Sequence, residues 1–329
     1  MKRLFIATVV LLVAASVFGL TVDRGDLRLV LHESSARFSL FARVGTDSTD
    51  GEWLPLFLAE DPRTSALDIL EGNRIHRMGD SGNFTQDAEE LEEGARFIWV
   101  SPTLRVVQAF RFTRGVTSEN YDAVEMTVTV TNTGEEPVLT GVRVLLDTYL
   151  GERSNTHFVT PALDQIVRES RLEPGPVNRY VASVETASAS HGLQVMLQAE
   201  GITPPEAALV ANWKRLIDSS WEYEINNTRN FNRLPYSIND SALLLTYEPV
   251  QLETSEEHTV VAYLGDLSPE GYLPPSLAAE TTGDNPVLAR LASLVSEIND
   301  LLASGDIDAA RVAELQAELQ TLTSIVRGR

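Results

Sequence analysis

The chain has 329 residues, no cysteine, and 47 acidic against 26 basic side chains, for a formal charge of −21. So acidic a protein repels phosphate backbones and anionic lipid, which argues against nucleic acid as a partner. Without cysteine there are no disulfides and no thiolate chemistry, so the core alone must hold the fold, and a chain of this length can bury enough surface to do so.

Residues 1–19 read as a signal peptide. Lys2 and Arg3 form a positive start, a mainly apolar run extends from Leu4 to Ala15, and Val17 and Gly19 stand at the −3 and −1 positions of a cleavage site. Export to the periplasm or the extracellular space is expected, with Leu20 as the new terminus. An uncleaved anchor is the alternative. No later stretch reaches the ~20 apolar residues of a membrane helix, so no membrane insertion is expected after signal removal.

Residues 26–266 read as strands. Leu27, Leu29 and Leu31 alternate with Arg28 and Val30, Phe110 and Phe112 flank Arg111, Met126, Val128 and Val130 alternate with threonines, and Val142, Val144 and Leu146 alternate around Arg143. Period two sends one set of side chains to a buried face and the other outward. Further strands are expected at 37–44, 53–58, 67–77, 95–100, 179–187, 192–199, 241–248 and 258–264. Turn signals fall between these runs, among them Asn132-Thr133-Gly134 and Glu173-Pro174-Gly175-Pro176. The fold class expected is mainly β: a large antiparallel β-sandwich, or a supersandwich, over residues 20–272. The acidic run Asp87–Glu93 reads as a solvated loop or turn, since the spacing of a calcium loop is missing. Residues 205–220 read as mixed, with a helix starting near Glu206 one option.

Residues 273–285 form a polar linker, and 286–329 change character. Leu288, Leu291, Leu294, Val295, Ile298, Leu301 and Leu302 recur at helical steps, then Val312, Leu315, Leu319, Leu322 and Ile325 do so after Ser304-Gly305-Asp306. The pattern predicts a C-terminal αα-hairpin. Its two stripes can pack on each other or on the sandwich. They can also serve a protein partner or self-association, with Leu322 and Ile325 the candidate contacts because the intramolecular partner runs out there.

The five histidines have no metal-ligand spacing, and no nucleophile elbow, phosphate loop or dinucleotide fingerprint occurs, so no metal and no cofactor is expected. Asp147 ends a strand rich in branched residues, and the Leu150-Gly151 turn brings Glu152 and His157 close in sequence. Such a group could do acid–base work, or Asp147 could be a structural carboxylate at a turn. Trp213 and Trp221, with Trp53 and Trp99, could offer flat faces to sugar rings beside Asp147 and Glu152, or could simply anchor core and loops. Candidate ligand-binding residues are therefore Asp147, Glu152, His157, Trp213 and Trp221.

The run Asn132-Thr133-Gly134, then Leu145-Leu146-Asp147-Thr148-Tyr149-Leu150-Gly151, then Pro235-Tyr236-Ser237-Ile238-Asn239-Asp240-Ser241-Ala242 ahead of a strand, resembles exported bacterial β-sandwich proteins of unassigned function. The strand pattern is also similar to galactose-mutarotase-like domains. The resemblance implies a sandwich fold and a link to carbohydrate. Two functions are expected from different classes: an exported non-catalytic scaffold or interaction protein of the envelope, or a carbohydrate-binding or carbohydrate-active domain.

Overall fold

The computed structural model describes residues 19–45, 51–280 and the single positions 294, 311 and 315. The alternating runs form strands, in chain order β1 (Leu20–Arg24), β2 (Leu27–His32), β3 (Arg37–Val44), β4 (Glu52–Pro55), β5 (Ala66–Glu71), β6 (Arg74–Arg77), β7 (Thr85–Leu91), β8 (Gly94–Val100), β9 (Leu104–Thr113) and β10 (Ala123–Asn132). They continue as β11 (Val138–Thr148), β12 (Phe158–Thr160), β13 (Leu163–Ile166), β14 (Ser170–Leu172), β15 (Tyr180–Val184), β16 (Gly192–Met196) and β17 (Ala207–Asn212). A short helix α1 (Trp213–Ile217) precedes β18 (Ser241–Thr246), β19 (Val250–Leu252), β20 (Glu257–Gly265) and the helix α2 (Pro275–Glu280).

Among the described residues, every ladder between these strands is antiparallel. β1 to β4 form a four-stranded meander; a nine-stranded sheet runs β13-β12-β15-β16-β20-β10-β9-β8-β7; a seven-stranded sheet runs β14-β17-β18-β11-β5-β6, with β19 also on β11. The inward members of the alternation meet in one apolar core. It takes Phe97, Val106, Phe110, Met126 and Val128 from the nine-stranded sheet, Ile69, Val142, Val144, Leu146 and Leu243 from the seven-stranded sheet, and Leu29, Leu31, Phe38 and Leu40 from the meander. Phe38 joins the meander to the nine-stranded sheet and to the β4–β5 connection. Its ring lies 4.6 Å from Phe110 on β9 and 5.4 Å from Phe57, which follows β4 on the way to β5.

The seven-stranded sheet is buried on its second face as well. Ala207, Leu209 and Ala211 of β17, Leu145 of β11 and Leu244 of β18 form a separate cluster with Leu216 of α1, against which Trp213, Ile217, Tyr223 and Ile225 pack. Residues 213–240, between β17 and β18, thus cover the outer face. This corrects the helix option near Glu206: Ala207–Asn212 is a strand, and it lacks period two because every one of its residues is buried. The acidic run Asp87–Glu93 is not a loop throughout. Its first part belongs to β7, the exposed edge of the nine-stranded sheet, where charge discourages pairing with another chain. The stretch expected as one strand at 67–77 is a hairpin, β5–β6, turning at Gly72.

Part of the stretch read as linker is helical, with Ala278 of α2 fully buried. Leu294 and Leu315 are buried helical positions and Arg311 is an exposed one. The other residues of the expected hairpin, Leu322 and Ile325 included, lie outside the described residues, as do residues 1–18 of the expected signal peptide.

If the meander belongs to the same cooperative unit as the two large sheets, Phe38→Ala should lower the stability of the whole β region by ~3–5 kcal/mol in a single transition. Urea unfolding followed by far-UV circular dichroism and tryptophan fluorescence checks this. A separate early transition confined to the meander would contradict it.

Candidate functional site

Because Val142, Val144 and Leu146 of β11 face the shared core, Arg143, Leu145 and Asp147 face outward beneath the cover. Arg143 is 1% exposed and lies fully under it. Its Nη2 donates to Asp68 Oδ2 at 2.8 Å, and its Nη1 donates to the Ser220 carbonyl at 2.7 Å and the Trp221 carbonyl at 3.3 Å. Asp68 also accepts from Arg77, whose Nη2 reaches the Ile217 carbonyl at 3.0 Å. The sheet therefore holds the cover through two guanidiniums that share one buried carboxylate. Trp221 lies against Gly141, where a Cβ would stand 2.5 Å from its ring, and the Arg143 guanidinium sits 5.3 Å from its centroid.

At the end of β11 the sequence-predicted group converges on Ser241, the first residue of β18. Glu152 Oε1 accepts from the Ser241 N–H at 2.9 Å, His157 Nδ1 is 3.0 Å from Ser241 Oγ, and Thr148 Oγ1 donates to the Ser241 carbonyl at 2.9 Å. The turn that permits this needs glycine at 151: its φ is +79°, and a Cβ would stand 2.4 Å from both the His157 nitrogen and the Val184 carbonyl oxygen. His157 is buried, edge-on to Phe231 of the cover at 4.6 Å. Asp147 is buried, and its N–H donates to Ser65 Oγ at 3.0 Å. Trp213 is drawn to the same place, donating Nε1–H to the Thr64 carbonyl at 2.8 Å. Asp147, Glu152, His157 and Trp213 thus gather at one end of the sheet, whereas Trp221 lies apart under the Arg143 clamp. The other two indoles are elsewhere: Trp99 in the core beside Phe97, and Trp53 beneath Arg28 and Arg43 on the meander.

An open cleft of about 880 Å³ lies within the cover itself. Arg168, Arg215, Arg229, Asn230, Asn232 and Arg233 line it, together with Tyr223 and three acidic residues. Its base is built on Glu169, which is fully buried, pairs with Arg215 and accepts the Asn226 N–H at 3.0 Å. Residues 168–169 pair with 229–230, the Glu169 N–H donating to the Arg229 carbonyl at 2.9 Å. Asn212, at the end of β17, donates to the Phe231 carbonyl and to Ser237 Oγ at 2.8 Å each, so the loop is held from below. Arg233 reaches the Lys214 carbonyl at 3.2 Å, while Arg168 and Arg229 are exposed and pair with no carboxylate among the described residues. Sequence reasoning did not find these arginines. The one local signal was the Asn- and Arg-rich stretch Asn226–Arg233; Arg168 and Arg215 reach it only through the fold.

A second cleft, of about 730 Å³, lies beside the β5–β6 hairpin, where His76 Nε2 and Glu71 Oε2 stand 2.7 Å apart next to Phe84. No group of three or more metal-ligating side chains occurs among the described residues.

No family model matches the chain, and no curated protein matches it in sequence. Among solved structures it is similar to a galactose mutarotase-like protein from Lactobacillus casei ATCC 334, at 8% identity and a TM-score of 0.44 over 75% of this chain and 99% of that one. It is also similar to a polysaccharide lyase, at 11% identity and a TM-score of 0.42 over 74% of this chain and 32% of that one. An alpha-N-acetylgalactosaminidase from Bifidobacterium bifidum gives 10% identity and a TM-score of 0.42 over 76% and 36%. The chain spans about a third of the last two. The likeness to galactose-mutarotase-like folds is loose, one of strand layout, and carries no argument about ligand or chemistry.

The cluster at Ser241 has a consequence for stability. Burial pushes the Asp147 carboxyl up to about 7 and Glu152 up to about 8, with repulsion from Asp240 adding to both, while burial pushes His157 down to about 4. As pH rises past the ordinary carboxyl values of 3.8 and 4.5, the unfolded chain releases protons that the folded chain keeps, so stability falls until the folded values are passed. His157 acts in the opposite sense between about 4 and 6.5, where only the unfolded chain binds its proton, and offsets one carboxyl there. The net loss should therefore show most clearly between pH 6.5 and 8, on the order of 1 kcal/mol. Urea midpoints across that range should fall for the wild type and stay nearly flat for Asp147→Asn combined with Glu152→Gln. An unchanged slope in the double variant would contradict the assignment.

Proposed function

We propose that the chain is an exported, non-catalytic binding protein of the bacterial envelope that holds a carbohydrate in the cleft of the cover. The observation that supports this most is the construction of that cleft. Its base is a buried Glu169–Arg215 pair, its loop is fixed by Asn212 and Arg143, and its open side presents the exposed guanidiniums of Arg168 and Arg229 beside the amides of Asn230 and Asn232. The Asn230 and Asn232 amides are already held, their oxygens accepting from the Asn232 and Asn239 N–H groups, so they can meet sugar hydroxyls with little loss of side-chain entropy.

The non-catalytic part of the reading rests on what Asp147, Glu152 and His157 do with their polar atoms. Glu152 and His157 are engaged by Ser241, Asp147 is buried with its N–H held by Ser65, and the three lie outside the cleft lining. They join strand ends, and their roles are those of structural groups at a turn.

A glycan array probed with the purified protein tests the reading. Retained glycans should be recovered chemically unchanged, with equal affinity for wild type and for Asp147→Asn combined with Glu152→Gln, and retention should disappear when Arg168 and Arg229 are both replaced by Ala. Turnover of a retained glycan that stops in the Asp147/Glu152 variant would make those residues catalytic and overturn the proposal.

A further inference from the structure

We infer that the cover cleft selects a short carboxylate-bearing oligosaccharide, an oligouronate, with Tyr236 as an additional platform for a sugar ring; this rests on reading the cleft as a carbohydrate site. The chain carries a charge of −21, and the cleft gathers two exposed arginines, Arg168 and Arg229, that pair with no carboxylate among the described residues. Of the other charged groups of the lining, Arg215, Asp218 and Arg233 are committed. Arg215 is bound to Glu169 and sits 5.6 Å from the Tyr223 ring, and Asp218 accepts from Lys214 at 2.7 Å and faces Arg233 at 3.5 Å. Glu222 and Glu224 are exposed, in no ion pair among the described residues, and are placed to accept sugar hydroxyls. Arg168 and Arg229 remain to meet an anion, and a guanidinium matches the planar carboxylate of a uronate with two parallel hydrogen bonds.

The turn that carries Leu234 into the lining adds the second feature. Arg233 and Ser237 close it through the Arg233 N–H to the Ser237 carbonyl at 2.8 Å, and Tyr236 and Leu234 are left 75% and 73% exposed. Tyr236 follows Leu234 by two residues in that turn, and a tyrosine so exposed supplies an apolar face with a hydroxyl at its rim, suited to the CH-bearing face of a sugar. The ligand is short because the protein as a whole is strongly acidic. Within a cleft the guanidiniums act at contact distance, whereas a long polyanion would run out over a surface of its own sign beyond the ~8 Å screening length of physiological salt. An acidic peptide has the same charge, but the lining offers it amides and hydroxyls rather than apolar side-chain pockets.

Titration calorimetry of the full chain with trigalacturonate, its methyl-esterified form, inorganic phosphate and triglutamate tests this. Trigalacturonate should bind, and the ester at least tenfold more weakly. Arg168→Ala and Arg229→Ala should each cost about tenfold, with Arg→Lys at either position restoring little. Tyr236→Ala should weaken both trimers alike. Circular dichroism identifies any variant that fails to fold. Equal affinity for acid and ester, lost in Tyr236→Ala, would overturn the acidic ligand while leaving the carbohydrate reading intact. Tighter binding of phosphate or triglutamate would overturn the inference in favour of those anions. Failure of every probe, together with an empty glycan array, would overturn both.

Discussion

The buried pairing of Arg143 with Asp68 is the interaction on which the outer half of this molecule depends. Both side chains stand on central strands of the seven-stranded sheet, 1% and 2% exposed, with the charged atoms 2.8 Å apart. Two charges taken from water are expensive, and attraction alone rarely compensates. Here each polar atom has further work. Asp68 also accepts from Arg77, and the guanidiniums of Arg143 and Arg77 donate to the carbonyls of Ser220, Trp221 and Ile217. These are backbone groups of a segment with little regular structure, which would otherwise leave their hydrogen bonding to solvent. The sheet thereby supplies the partners that a long covering loop lacks.

The position of the cover decides which residues face a ligand. Because it lies over the far side of the seven-stranded sheet, Leu145, Leu209 and Leu244 become core residues of a second layer, and Asp147 and His157 are enclosed. Enclosure shifts their proton affinities, a trait associated with active sites. The same shift arises wherever a carboxylate is buried against a turn, and the geometry around Ser241 fits the second case. The exposed chemistry is displaced onto the cover, where arginines and asparagines from 168, 215 and 229–233 meet around Glu169.

The strands that border solvent on one face were legible in the sequence, because alternation is a local record of which side chain points inward. β2 follows it residue by residue, and β9, β10 and the inner residues of β11 follow it over most of their length. β17 was not legible, since a strand covered on both faces by Ala, Leu and Val shows no alternation and imitates a buried helix. The convergence of Asp147, Glu152 and His157 was legible from their closeness in sequence. Their hub was not: Ser241 lies 84 residues beyond His157 and is placed by β18 pairing with β11. The tryptophans illustrate the same limit. Composition supplied four indoles, but only the cover's path shows Trp213 at Thr64 and Trp221 against Gly141, neither in the lining of the 880 Å³ cleft.

The most direct test of this account is native-state hydrogen exchange of the Arg143→Met protein, compared with wild type and with Arg143→Met combined with Asp68→Leu. Removing one partner of a buried pair costs ~3–5 kcal/mol, and the loss should fall on the segment that the pair secures. Amides of 213–234 should exchange roughly a hundredfold faster or more in Arg143→Met, while those of β9 and β10 keep their protection. Adding Asp68→Leu also removes the carboxylate partner of Arg77 and should not restore the cover. Unchanged protection over 213–234, or an equal loss across every sheet, would show that the pair does not hold the cover.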